Sequence, residues 1–291
     1  MLLGNSIVKT ESSQITPAGL YIVATPIGNL GDITLRGLDI LRLADLILCE
    51  DTRVSGNLLS HYGIKKPLLS YNDHNAAERR PEVFSAIENG KKIALISDAG
   101  TPLVSDPGYK LVREALDMGF YVTTIPGASS ILSALCLSGL PSDQFFFGGF
   151  LPTKSEALRK HIASLAKVPA TLIFFESARR LEESLAALQE CLSDRQAAVV
   201  REITKLYEES RRGKLSELLA NIQQNGTPKG EVVIVIAPPQ AEEALASQNT
   251  EEQLTLLLNS HSVKEAASIL AEQTGKPRKE IYAQALKIMA L

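Results

Sequence analysis

The chain has 291 residues, 45% of them hydrophobic, and carries 30 Lys and Arg against 33 Asp and Glu. That apolar fraction excludes a wholly disordered chain, and the length is ordinary for two domains, each with its own core. The net charge of −3 excludes attraction of the whole protein to nucleic acid, so a nucleic-acid partner would require positive charge gathered in one groove.

The three cysteines, Cys49, Cys136 and Cys191, are too few and too scattered for a disulfide framework or a structural zinc site. They read as small buried hydrophobes in a reducing compartment. Residues 1–16 are mostly polar and unlike a signal peptide, and no apolar run reaches the length of a membrane span. Both features point to the cytoplasm.

From residue 20 onward, strand-like and helix-like segments alternate. Residues 20–26 (LYIVATP), 44–50 (ADLILCE), 92–98 (KIALISD) and 121–127 (YVTTIPG) are short apolar runs, partly β-branched, that end in Pro, Gly or acidic residues. Helical periodicity occupies residues 35–43, 55–62, 83–89 and 109–118, with Pro81 read as the start of a helix. This alternation predicts a parallel sheet covered on both faces. A second α/β set follows Pro141, with strands at 170–177, 197–202 and 231–238 and helices at 180–192 and 214–224. The boundary is expected near residues 140–153, where Gly, Pro and a cluster of Phe interrupt the periodicity.

Residues 241–250 are small and polar, like a linker. Helical patterns at 262–273 and 277–289, with a turn at Gly275, then form a compact helix–turn–helix pattern. Val263, Ala266, Ala267 and Leu270 make one apolar stripe, and Ile281, Ala285 and Ile288 make another. Lys276, Arg278 and Lys279 gather at the turn. The expected division is therefore an α/β domain at 17–140, a second at 141–240 and a helical domain at 250–291.

Four polar segments follow strand ends, where open α/β sheets bind their ligands. Residues 25–32 (TPIGNLGD) lie where a dinucleotide loop would, but Pro26 holds the place of its first glycine and has no N–H to offer a phosphate. Residues 50–53 (EDTR) either arrange a polar substrate or simply start a helix capped by Asp51 or Ser55. Residues 97–108 (SDAGTPLVSDPG) put two carboxylates, two prolines and several hydroxyls in one loop, more than a turn requires, and Gly100 and Gly108 permit a positive φ there. In residues 126–130 (PGASS), Ser129 or Ser130 either caps a helix or meets a ligand at its N-terminus. His61 and His161 lie in helical surface patterns and His261 in the tail. None has metal-ligand spacing, and Asp73–His74 reads as a turn.

In this order and spacing the four segments resemble the tetrapyrrole-methylase superfamily of S-adenosylmethionine enzymes, and within it the branch that acts on small-subunit ribosomal RNA. The second half adds GFLP (149–152), FES (175–177) with Arg180, RE (201–202) before Thr204 and Lys205, and KGE (229–231). The resemblance spans roughly residues 20–237, and the tail from residue 262 is similar too. It implies two α/β domains of the tetrapyrrole-methylase type with an inter-domain cofactor cleft, a small C-terminal helical domain, and a homodimer. It also implies a folded cofactor held without a GxGxG loop, in keeping with Pro26.

Carried over by motif, the contacts with S-adenosylmethionine are Pro26, Gly100, Thr101, Val104, Ser129 and Ser130, with Phe175, Arg201 and Gly230 from the second domain. The implied reaction is methylation of the 2′-hydroxyl of a cytidine in the decoding region of 16S rRNA, within the small ribosomal subunit. A carboxylate could accept or orient the hydroxyl proton. Glu50, Asp51 and Asp98 are the candidates, with Arg53 for a phosphate or carboxylate contact, and the sequence does not choose among the three. Arg179, Arg180, Lys154, Arg159 and Lys160 are candidates for the basic wall of an RNA groove.

Two other functions compete. A methylase of the same fold acting on a porphyrin-like ring would favour an aromatic cleft, whereas aromatic residues are only 5% here and there is no Trp. A non-enzymatic nucleic-acid-binding regulator would not need the intact polar segments.

Overall fold

The computed structural model describes residues 16–239, 251–274 and 277–289. The expectations for the N-terminal segment before residue 16, for the linker at 241–250, and for Gly275 and Lys276 fall outside these residues.

The first sheet consists of β1 (Gly19–Val23), β2 (Leu46–Cys49), β3 (Leu68–Ser70), β4 (Lys92–Leu95) and β5 (Tyr121–Ile125). Their order is β3-β2-β4-β1-β5, and every pairing is parallel. Successive strand residues point to opposite faces. Thus Tyr21, Val23, Ile47 and Cys49 pack with Leu38 and Leu41 of α1 (Leu35–Leu43) and Leu59 of α2 (Thr52–His61). Leu20, Leu48, Ile93 and Leu95 pack on the other face with Val83, Phe84 and Ile87 of α3 (Ala76–Glu88) and Leu111 and Ala115 of α4 (Tyr109–Asp117). The parallel sheet covered on both faces is as expected.

α3 corrects the reading of Pro81, which lies inside the helix rather than at its start. The helix begins earlier because Asn72 and Asn75 build its entry. The Asn72 carbonyl accepts from the Asn75 and Ala76 N–H groups, and the Asn75 side chain accepts from the Asn72 N–H at 2.9 Å. Pro81 therefore removes the hydrogen bond its N–H would have given to Ala77.

The second sheet holds β6 (Phe145–Phe150), β7 (Thr171–Ser177), β8 (Gln196–Arg201), β9 (Glu209–Lys214) and β10 (Glu231–Ile236), in the order β6-β7-β10-β8-β9. Only β6 and β7 pair parallel. The remaining pairs are antiparallel. Val232, Ile234 and Ile236 of β10 pack with α6 (Ser155–Leu165), α7 (Leu181–Leu192) and α8 (Leu215–Asn225). Val233 and Val235 face the other way, against Ile131, Ala134 and Leu135 of α5 (Ser130–Ser138). α5 thus follows the last strand of the first sheet but covers the second, and Ile27 joins that same cluster.

The Phe cluster read as a break in periodicity is the edge strand β6. Gly148 is required in the strand because a Cβ there would lie 2.4 Å from the Phe174 ring, and Gly149 because its φ is +69°. The register shifts between Phe147 and Phe150, which hides the alternation. Of the cysteines, Cys49 is buried and Cys191 half-buried, but Cys136 is exposed on α5, contrary to expectation.

At the C-terminus, a helix through residues 251–258 (α9), α10 (Val263–Thr274) and α11 (Arg278–Met289) enclose their own small core of Leu254, Ala266, Ala267, Leu270, Ile281 and Ala285. Ser262 and Glu265 form a reciprocal capping box at the start of α10. Both stripes read in the sequence meet in this core, with Val263 and Ile288 at its edge.

Candidate functional site

The loops after β1, β2, β4 and β5 all emerge at the carboxyl edge of the first sheet, and hydrogen bonds tie them together. The Thr25 N–H donates to the Gly100 carbonyl at 2.9 Å, and the Gly100 N–H donates to the Thr25 carbonyl at 3.1 Å. The Thr25 hydroxyl, buried, donates to the Ser97 carbonyl at 3.1 Å. The Thr101 hydroxyl donates to the Ala128 carbonyl at 3.2 Å, linking the third segment to the fourth. The Asp51 N–H donates to Oδ1 of Asp98 at 3.3 Å, linking the second to the third.

Gly100 is required at its position. Its φ is +81°, and a Cβ there would meet Ile27 Cγ2 at 3.2 Å. In the same loop Leu103 and Ser105 have φ values of 75° and 64°, a strained backbone held by its surroundings.

These loops face β7 and β10 across a cavity of about 510 Å³. Asp98, Gly100, Thr101, Val104, Ser129 and Ser130 line it from the first half, and Phe175 and Gly230 from the second. A second cavity of about 480 Å³ adjoins it, lined by Pro26, Val54, Asn57, Leu58, His61 and Lys205 among others. Ile27, Asp98, Ala99 and Glu231 line both cavities.

Most of the expected residues are therefore brought together, but Pro26 lines only the second cavity, and Glu50, Asp51, Arg53 and Arg201 line neither. Asp51 caps α2 by accepting from the Arg53 N–H at 2.8 Å, and its carboxylate grips the Arg53 guanidinium at 2.6 Å. Arg201 stands behind Gly230, paired with Glu209 at 2.8 Å and donating to the Lys229 carbonyl at 2.8 Å. Ser129 caps α5, accepting from the Leu132 N–H, and lines the cavity as well.

Among the proposed RNA-groove cations, Arg180 is committed to the fold. It donates to the Leu151 and Pro152 carbonyls and pairs with buried Glu176 at 3.2 Å. Arg159 pairs with Glu190 at 2.8 Å. Lys154, Lys160 and Arg179 are exposed.

Sequence reasoning passed over Asp106, Phe150, Glu176 and Glu231 in the first cavity, and Asn57, His61 and Lys205 in the second. Glu176 and Glu231 stood inside the quoted FES and KGE motifs. Val54, Asn57, Leu58 and His61 carry the i, i+3, i+4, i+7 spacing of one helix face, a signal available in the sequence.

The carboxylates crowd each other. Burial lifts the Asp106 carboxyl to about 6, opposed by a hydrogen bond from Ser97 and assisted by the charges of Glu50 and Asp98. Burial raises Glu50 too, and Asp98, Asp73 and Asp51 add to the shift. The hydrogen bonds from Arg53 draw Asp51 down to about 2.

Fold and site together define the class. Residues 19–219 match the family described as Tetrapyrrole (Corrin/Porphyrin) Methylases, and residues 243–288 match the RsmI C-terminal HTH domain. The chain belongs to the tetrapyrrole methylase family. The crystal structure of uroporphyrin-III-C-methyltransferase from Thermus thermophilus shares the fold, with a TM-score of 0.54 at 20% identity over 75% of this chain and 94% of that one. Diphthine synthase does so with a TM-score of 0.59 at 18% identity, over 75% and 89% of the two chains.

Much higher identity links the chain to proteins named ribosomal RNA small subunit methyltransferase I, the branch indicated by the sequence motifs. The one from Mesorhizobium japonicum is 50% identical over 92% of each chain. The one from Erythrobacter litoralis is 50% identical over 96% of this chain and 98% of its own.

Proposed function

We propose that the chain methylates the ribose 2′-hydroxyl of a cytidine in the decoding region of 16S rRNA, using S-adenosylmethionine, as a homodimer in the cytoplasm. The observation that carries this reading is the first cavity, whose size lies within the usual range of about 300–1,000 Å³ for small-ligand sites. Its lining suits the cofactor part by part. Ile27, Val104, Ile131, Phe175 and Val233 offer apolar walls for an adenine ring. Thr101, Ser129 and Ser130 offer hydroxyls for the ribose and carboxylate, and Asp98, Asp106 and Glu231 offer negative charge for ammonium and sulfonium groups.

When bound, the cofactor supplies a methyl carbon made electrophilic by its attachment to a positively charged sulfur. The protein's task is then alignment of the hydroxyl with that carbon. Of the three carboxylates left open by the sequence, Asp98 is favoured because it lines both cavities. Asp98 orients the hydroxyl and receives its proton. Thr101, Ser129, Phe175 and Gly230 would hold the cofactor, which would supply the methyl group that takes the place of that proton. Arg53 spends Nε and Nη2 on Asp51, and Nη1 of this 88% exposed side chain is left for an RNA phosphate.

The names of the relatives support RNA as the acceptor. Exposed apolar side chains on the outer strands, Tyr121 on β5 and Phe145, Phe146 and Phe150 on β6, support a second copy as partner. Among the described residues no helix is long and apolar enough to cross a membrane.

The test is methyl transfer from labelled S-adenosylmethionine to purified small ribosomal subunits and to free 16S rRNA, with the label mapped. Label on a cytidine 2′-oxygen is the expected result. Cofactor binding without label on either RNA would overturn the substrate assignment and leave the fold untouched.

A further inference from the structure

We infer that the second cavity seats the acceptor nucleoside, extruded from its RNA strand, and that Asn57 and His61 of α2 read its base. This rests on the reading of the acceptor as an RNA nucleotide. Methyl transfer requires donor and acceptor on either side of one contact point, and the two cavities meet at Asp98. A nucleoside in the second cavity brings its ribose to that shared wall. A stacked strand does not enter a cavity of about 480 Å³, whereas one unstacked nucleoside does.

The lining suits a base. Pro26, Ile27, Leu30, Val54 and Leu58 supply flat or aliphatic surface for its faces. Val54, Asn57, Leu58 and His61 share one face of α2, so two polar groups are interleaved with two apolar ones.

Of the other polar groups around the cavity, Ser55 Oγ is buried and has no hydrogen-bond partner among the described residues, and the rest are engaged. Lys205 pairs with Glu202 and Glu231, both at 3.0 Å, and Asp98 accepts from the Asp51 N–H. The Asn57 amide and the His61 imidazole make no hydrogen bond to any described residue, yet both line the cavity. The His61 ring is set edge-on to Tyr62 at 4.8 Å, and the Tyr62 hydroxyl donates to the Leu30 carbonyl, which orients the pair. An amide carrying both donor and acceptor, next to an imidazole, matches the mixed donor and acceptor edge of a pyrimidine.

The opposite wall is rigid and preformed. Glu202 and Thr204 have φ values of 48° and 67°, and the loop they shape is held by Glu202 accepting the Glu231 N–H at 3.0 Å and Glu208 accepting the Thr204 N–H at 2.6 Å. It closes on the first loop so tightly that a Cβ on Gly28 would lie 2.5 Å from Lys205 Cγ. Strained backbone fixed this way is characteristic of ligand-binding walls.

The experiment compares the full-length parent with N57A, H61A, the double variant and L58W, which fills the cavity. It measures cofactor affinity, and kcat and KM on small subunits carrying either cytidine or uridine at the mapped position. The expected result is cofactor affinity unchanged within about twofold. The double variant and L58W should lose kcat/KM by about tenfold or more, and N57A should narrow the preference for cytidine. Unchanged kcat/KM and base preference in N57A, H61A and the double variant would overturn the assignment while the parent still methylates RNA. A parent that labels no RNA would overturn the RNA reading itself. Should L58W fail to fold, the exposed Asn57 and His61 positions still decide.

Discussion

Asp106 shows how the site acts on a single residue. Its carboxyl is lifted to about 6, chiefly by burial, so the folded protein favours the protonated form. In the unfolded chain the same group titrates near 3.9. A raised folded value means a contribution that is full below about pH 4 and is lost as the pH rises through about 6. After allowance for partial solvent screening, the change amounts to about 1–2 kcal/mol. D106N, which stays neutral, should therefore gain about 1–2 kcal/mol on the parent between pH 4 and pH 7. Urea denaturation of both proteins across that range measures it, and parallel curves would refute it. The sequence shows Asp98 in the same loop, but neither the burial that dominates the shift nor the approach of Glu50, which follows from the order of strands in the sheet. Conversely, Asp51 and Arg53 look like reactive groups in the sequence, but they are two residues apart and satisfy each other. Gly100, Thr101 and Ser129, which line the first cavity, were legible only through the resemblance of their motifs, because a glycine turn or a serine cap is expected beyond a strand end in any case.

At the scale of elements, hydrophobic period carried the reading wherever a segment is buried on one or both faces. β1, β2, β4, β7, β8 and β10 are apolar runs for that reason. β3 has three residues and β9 is ESRRGK, an edge strand whose charges pair along it, as Arg211 does with Glu209 at 2.6 Å. Neither leaves an apolar trace to follow. Pro81 misled in the other direction, since proline usually marks a helix start, whereas α3 accommodates it in its second turn. P81A restores the missing N–H and should raise stability by about 1–3 kcal/mol, with cofactor affinity unchanged. Chemical denaturation with a parallel binding titration checks it, and equal or lower stability would mean that the surroundings of α3 already absorb the proline.

For the whole molecule, the helical tail encloses its own core, and the Lys167–Glu251 ion pair is an exposed tie to the body. Such a pair is worth less than about 1 kcal/mol. Removing residues 247–291 should leave the melting temperature of the remaining chain within a few degrees and its cofactor affinity intact, while RNA affinity falls. Thermal unfolding and RNA titration at two salt concentrations test this. Full RNA affinity in the shortened chain would show that the tail only accompanies the body. The division into a body and a tail was legible from the change in composition after Pro239, but the allegiance of α5 was not, because its sequence continues the first sheet's rhythm. That allegiance has a consequence for biosynthesis. While the chain is being made, the first sheet can close over its own helices as soon as β5 emerges. α5 then stands with Ile131, Ala134 and Leu135 uncovered until β8 and β10 leave the ribosome. At about 5–20 residues per second this lasts several seconds. The nascent half-protein thus displays a greasy helix where the first cavity will form, and a holdase would find its handle there.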